Sequence, residues 1–261
     1  MLPFSTFHTA WLVAASFLAG SINAVAGGGS LLSFPSLLQV GALPVYANAT
    51  NTVALLPAEI TSAAAYRREL SSYRTLLIPL VAAALAGGFF GARMLMAAGQ
   101  ELFFHMVPWL LLVATIIFAI GPPLQRRLLR ADDRHPVGEL RPAARILLPF
   151  IIFIVCLYVG FFGAGSGLLL MGVLTIAGIN DVHEVNALKT AIISASRSVA
   201  AVTFVFYGAV VWHYAVPMMI AASTGGYATA HLARKHKPRG LRETIIVIGF
   251  VVTFYFFWKI R

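Results

Sequence analysis

Apolar residues follow one another in ten runs, at about 8–26, 29–45, 47–66, 75–97, 102–122, 145–162, 166–180, 186–207, 212–233 and 242–259. A helix needs ~20 apolar residues to cross a bilayer, and eight of these runs predict full spans. The second and seventh are short and bounded by glycine. Each predicts half of a broken helix or one arm of a tight hairpin.

The polar positions between the runs are mostly basic. Arg67, Arg68 and Arg74 fall in one connection, Arg126, Arg127, Arg130, Arg134, Arg141 and Arg145 in another, and Arg234, Lys235, Lys237, Arg239 and Arg242 in a third. Short connections rich in Lys and Arg stay in the cytoplasm. With eight spans, the third basic connection falls on the wrong face. With five passes in each half, about ten in all, the three basic connections share the cytoplasmic face, although Lys259 and Arg261 pull the C-terminus the other way. The stretch Gln125 to Arg145 contains Pro136, Gly138 and Pro142 and reads as a linker. The expected organisation is a membrane repeat over 1–124, a cytoplasmic linker over 125–144 and a second membrane repeat over 145–261.

Composition agrees and narrows the class. The 261 residues are 59% hydrophobic and 11% charged, where a soluble domain carries about 25% charged residues. The net charge of +10 then describes membrane topology, and nucleic acid is not an expected partner. The lone Cys156 excludes a disulfide framework or a zinc cluster within this chain. The opening MLPFSTFHTAW has no Lys or Arg before its apolar stretch, so a cleaved signal peptide is not expected.

One pattern occurs twice. Gly27-Gly28-Gly29-Ser30-Leu31-Leu32 is followed by Gly41 and then Asn48-Ala49-Thr50-Asn51; Gly163-Ala164-Gly165-Ser166-Gly167-Leu168-Leu169 is followed by Gly178 and then Asn186-Ala187-Leu188-Lys189. An offset of 138 carries Asn48, Asn51, Pro79, Gly87, Gly88 and Ala92 onto Asn186, Lys189, Pro217, Gly225, Gly226 and Ala230, while the glycine break maps with 137, one residue fewer. Equivalent loops differ in charge: 208–212 is uncharged where its counterpart holds Arg67, Arg68 and Arg74. The fold expected is therefore an all-α polytopic bundle of two inverted-topology repeats with glycine-broken helices.

The paired breaks, with Pro44 and Asn48-Ala49-Thr50-Asn51 in one half and Asn186-Ala187-Leu188-Lys189 in the other, resemble the TauE/SafE sulfite exporter family over nearly the whole chain. The resemblance implies a membrane transporter that exports small sulfur-containing anions such as sulfite, sulfoacetate or other organosulfonates.

The residues suit an anion independently of that resemblance. A helix restarting after glycines presents backbone N–H groups and a partial positive charge. Gly28, Gly29 and Ser30 at one break and Gly165, Ser166 and Gly167 at the other are thus candidate substrate-binding residues, together with Asn48, Asn51, Asn186 and Lys189. Thr52 adds a hydroxyl beside them, and the Asn side chains could equally cap helix starts. Lys189 is expensive in an apolar helix unless it faces a polar cavity, a partner or the membrane interface. Gly20, Gly87, Gly88, Gly91, Gly225 and Gly226 read instead as helix-packing residues.

Glu59 and Arg197 are separated by 138, so they hold equivalent positions with opposite charge. Each lies eight residues beyond Asn51 or Lys189, about 12 Å along a helix. They are candidates for an ion pair, for alternating gates, for direct substrate contact by Arg197, or for proton coupling through Glu59. Arg93 and His231 are likewise equivalent and read as interfacial, as do His8, His105, His183 and His213.

No cofactor, metal site or catalytic residue is expected, since the glycine clusters lack the context of a nucleotide-binding loop. The expected partners are a small anion, the lipid bilayer and a possible coupling proton; the expected location is a bacterial inner membrane. Two rivals stay open: an anion channel, and an intramembrane serine protease using Ser166 with His213 or His231 as base.

Overall fold

The computed structural model describes residues 6–26, 28–66, 70, 73–131, 142–179, 181–232 and 239–260. Gly27, Arg67, Arg68, Arg134, Arg141, Arg234, Lys235 and Lys237 lie outside them, as do the side chains of Arg74, Arg126, Arg127, Arg130, Arg145, His231, Arg239 and Arg242. The described residues are all helical or in the turns between helices. The first half contains α1 (Thr6–Ala26), α2 (Ser30–Gln39), α3 (Pro44–Ala65) and α4 (Arg74–Ala131). The second contains α5 (Pro142–Phe161), α6 (Ser166–Ile176), α7 (Val182–Phe206), α8 (Trp212–Leu232) and α9 (Arg239–Ile260).

Helix α4 is two helices in one. Gly99 interrupts it with φ 70° and ψ 179°, a conformation open to glycine and denied to residues with a Cβ. Counting arms 74–98 and 100–131 separately, the described residues hold eight long segments and two short ones. The short ones, α2 with 10 residues and α6 with 11, rise only about 15–17 Å, roughly half the hydrocarbon thickness. Arm 100–131 carries helix through Gln125 to Ala131, so part of the stretch expected to be linker is helical.

The two short helices end in the same way. Gly41 (φ 87°) and Gly178 (φ 104°) adopt the left-handed conformation. Around them Ala42 N donates to Leu37 O at 3.1 Å and Ile179 N to Leu174 O at 3.1 Å, the six-to-one bond of a Schellman cap. A glycine was needed at each point because the chain must turn straight into the next long helix.

The outside of the bundle is apolar. Ile146, Phe206, Tyr227, Phe254 and Trp258 are each more than 70% exposed, a surface that water would disfavour and lipid would not. Among the described residues, Thr75–Gly121 and His183–Phe206 are long and apolar enough to cross a membrane.

Inside, the halves are interleaved. Helix α1 packs most extensively on α8, and α5 on α4. Small residues make the close approach possible: a Cβ placed on Gly225 would sit 2.0 Å from Phe17 O, and one on Gly87 would sit 2.5 Å from Phe153 O. Gly88 lies against Ser196 and Gly226 against Gly20 and Ala58, and 58 and 196 are again 138 apart. Gly20 and Gly91 are equally tight, against Ala222 and Leu157. The packing role expected for these glycines is what the backbone contacts require at Gly20, Gly87, Gly88, Gly91 and Gly225, whereas a Cβ on Gly226 would have ordinary room.

Candidate functional site

The two glycine breaks meet the same helix. Gly28 faces the Phe118 ring, 2.3 Å from where its Cβ would be, and Gly165 faces the backbone of Ala114, 3.1 Å from Ala114 O on the same measure. Residues 114 and 118 stand one above the other on arm 100–131, about 6 Å apart. Both breaks therefore converge on one turn of α4, each against a buried surface.

They differ in backbone. Gly163 (φ 75°) and Gly165 (φ 72°) take the left-handed conformation, so α5 and α6 are sharply disconnected. At the first break Gly29 keeps right-handed values, φ −56° and ψ −32°, and packs on α1 within 2.2 Å of Ala19 O on the Cβ measure. The second break thus needs glycine for its dihedrals and the first for space.

A buried ion pair spans the region between them. Arg197 Nη1 lies 2.8 Å from Glu59 Oε1, with side chains 6% and 9% exposed. The pair's directional hydrogen bonds go elsewhere: Arg197 Nη2 donates to Gly163 O at 3.0 Å, and Asn23 Nδ2 donates to Glu59 Oε1 at 3.0 Å. Asn23 lies three residues before the end of α1, beside the first break, and Gly163 opens the second. Glu59 Oε2 is buried with no hydrogen-bond partner. Two positions 138 residues apart are therefore the two ends of one contact.

The Asn residues sit inside the helices and do not cap them. Helix α3 begins at Pro44 with Leu43 at its N-cap, whereas α7 is capped by Asp181, whose side chain accepts from His183 N and Glu184 N. Asn48 donates from Nδ2 to Phe161 O at 3.0 Å and so reaches across to the end of α5; its Oδ1 is buried and unpartnered. Asn51 Oδ1 accepts from Ser33, whose hydroxyl also lies 3.2 Å from Gly29 O. Thr52 turns back to Asn48 O at 2.9 Å.

Lys189 is only 9% exposed. Its ammonium donates to Asn186 Oδ1 at 2.9 Å and lies 4.0 Å from Met171 Sδ of α6. It stays inside the bundle. Gly28, Gly29, Ser30, Gly165, Ser166 and Gly167 are all buried. Ser166 Oγ donates to Gly163 O at 2.7 Å, so its hydroxyl hydrogen is held by a carbonyl rather than a histidine. Arg93 is exposed and stands 5.7 Å from the centre of the Tyr207 ring, a surface cation–π contact.

Several members of this constellation were not singled out from sequence: Asn23, Ser33, Ala114, Phe118 and the carbonyl of Gly163. Ser33 does carry a signal, for it lies within the first repeat copy, between the break and Gly41, both of which recur with an offset of 137. Ala114 and Phe118 carry none, being ordinary apolar residues in an apolar run.

Comparison with known proteins now bears on this geometry. The family model described as Sulfite exporter TauE/SafE matches residues 12–256. The chain belongs to that family. Its curated relatives include the probable membrane transporter protein ORF9 of Sinorhizobium sp, 25% identical, covering 93% of this chain and 90% of the relative. A probable membrane transporter protein of Haemophilus influenzae is 24% identical over 93% of the chain and 91% of its own length. The probable membrane transporter protein YfcA of Escherichia coli K12 is 24% identical over 91% and 85%. No solved structure matches. This TauE/SafE family chain is thus a membrane protein of transporter type.

Proposed function

We propose that this protein is a secondary transporter of the bacterial plasma membrane. It exports a small sulfur-containing anion, sulfite, sulfoacetate or another organosulfonate, by alternating access between two inverted repeats. The observation that carries this is the Glu59–Arg197 pair, buried in the bundle and hydrogen-bonded to residues at both glycine breaks. Arg197 on Gly163 and Asn23 on Glu59 give a mechanical link, so movement at either break disturbs the same contact. The matched cap geometry and matched glycine contacts of the two halves support the repeat, and the opposed charge of equivalent loops supports its inversion.

In this proposal the anion is held by Lys189, Asn186, Asn48 and Asn51 with the backbone around Gly28, Gly29, Ser30, Gly165, Ser166 and Gly167. The Glu59–Arg197 pair acts as the gate, opening as one half rocks on the other, with a proton on Glu59 as the candidate coupling ion. Counterflow in proteoliposomes tests it: preloaded sulfite or sulfonate should drive saturable uptake of labelled anion. Conductance far above carrier turnover would replace the carrier with a channel. No exchange of any small sulfur anion would sink the proposal.

A further inference from the structure

Among the described residues three charged side chains are buried: Glu59, Lys189 and Arg197. Glu59 and Arg197 offset each other. Lys189 has no such countercharge at hand. Its direct contacts are the neutral Asn186 and Met171, and Glu59, already paired, acts on it only over a longer electrostatic distance. The other described carboxylates serve elsewhere: Glu101, Asp181 and Glu243 are exposed, and Glu184 accepts from Tyr73. Among the described residues, one positive charge inside the bundle therefore stands without a balancing negative one, a condition the low-dielectric interior strongly disfavours.

We infer that Lys189 sets the charge class of the ligand, and that the site takes a monoanion in preference to a dianion. This rests on the transport proposal above and sharpens it. A single negative charge beside Lys189 leaves the interior neutral. A second negative charge would leave an excess facing Glu59, whose Oε2 already lacks a hydrogen-bond donor. A neutral solute would leave Lys189 uncompensated. At the equivalent position of the first half stands Asn51, which contributes dipoles and no charge. Hydrogen sulfite and monosulfonates fit this balance; sulfate, the sulfite dianion and sulfoacetate carry one charge too many.

Methanesulfonate and sulfate make the test, since they share a tetrahedral shape and differ by a methyl group in place of a charged oxygen. Thermal unfolding of the purified full-length protein should be opposed by methanesulfonate at a concentration roughly tenfold or more below that needed for sulfate. Asn51→Lys and Glu59→Gln each add one positive unit and should both move the preference toward sulfate. Lys189→Met should lose protection by either anion. Sulfate protecting the native protein as well as methanesulfonate would overturn the charge assignment and leave anion transport standing. Failure of every small sulfur anion both to protect and to exchange across proteoliposomes would remove the transport proposal itself.

Discussion

The first half closes a neutral contact where the second half buries a charge. Ser33 meets Asn51 in the first half, and in the second Met171 of the corresponding short helix meets Lys189. Around these pairs the backbones correspond: the short helix ends on a left-handed glycine, and the long helix restarts a few residues later. The difference teaches that the helix scaffold tolerates either chemistry at this point, so the lysine is not there to make the fold. A hydroxyl and an amide satisfy each other, whereas an ammonium beside a thioether keeps unspent electrostatic attraction for a ligand.

The largest test breaks the contact that joins the halves. Arg197→Ala leaves the Glu59 carboxylate buried and unpaired, and should lower the unfolding free energy by about 3–5 kcal/mol. The double variant Glu59→Gln with Arg197→Gln should recover most of that stability while transport stays lost. Denaturation midpoints in detergent check both, and an Arg197→Ala protein as stable as the parent would show that the pair does not tie the halves together.

Making the second half resemble the first comes next. Lys189→Asn removes a buried charge and leaves a side chain that the first half already accommodates. Anion affinity should fall by roughly tenfold to a hundredfold, with the melting temperature of the ligand-free protein unchanged or raised. A titration with unchanged midpoint would take Lys189 out of the site.

The two breaks can be compared by substituting their glycines. Gly165→Ala forces a Cβ onto a residue at φ 72°, a cost of about 1–2 kcal/mol. Gly29→Ala has favourable dihedrals but would drive its methyl into Ala19 O, so its cost should depend on whether α1 can shift. If Gly165→Ala melts as the parent does, the second break is not pinned by its dihedrals.

The smallest difference lies at the starts of the long helices. Helix α7 has a side-chain cap from Asp181 and α3 has none, so Asp181→Ala should cost about 1 kcal/mol while Leu43→Ala changes the helix start little. Chemical denaturation of the two variants separates them. A neutral Asp181→Ala would mean that Tyr73, which donates to Glu184 in the same turn, already holds the start of α7. Burial and the nearby carboxylate push the Tyr73 phenol well above its ordinary range, so that donor keeps its proton at any physiological pH.

Much of this was legible in the chain. Long apolar runs have one economical solution in a membrane, a helix that satisfies its own backbone, and the ten runs became the eight long and two short segments described. The recurring glycines and the offsets of 137 and 138 pointed to a repeat, and they placed Glu59 and Arg197 at equivalent sequence positions. The helix-packing glycines were also readable, since a residue without Cβ is an invitation to close approach. The Asn residues misled, because an Asn after a break resembles a cap, and only the position of Asp181 and Pro44 shows that both helices start earlier.

What the sequence determined by itself was local and periodic: where helices run, where they break, and which positions recur. Tertiary structure decided which recurring positions touch. Glu59 could have faced lipid, water or another residue; packing of α3 on α7 brought it to Arg197, and the end of α1 brought Asn23 to it. Packing also set both breaks against Ala114 and Phe118, residues that carry no signal of their own. The physical reason is that backbone propensity and hydropathy act within a few residues along the chain. The pairing of buried charges is settled by contacts between segments more than a hundred residues apart.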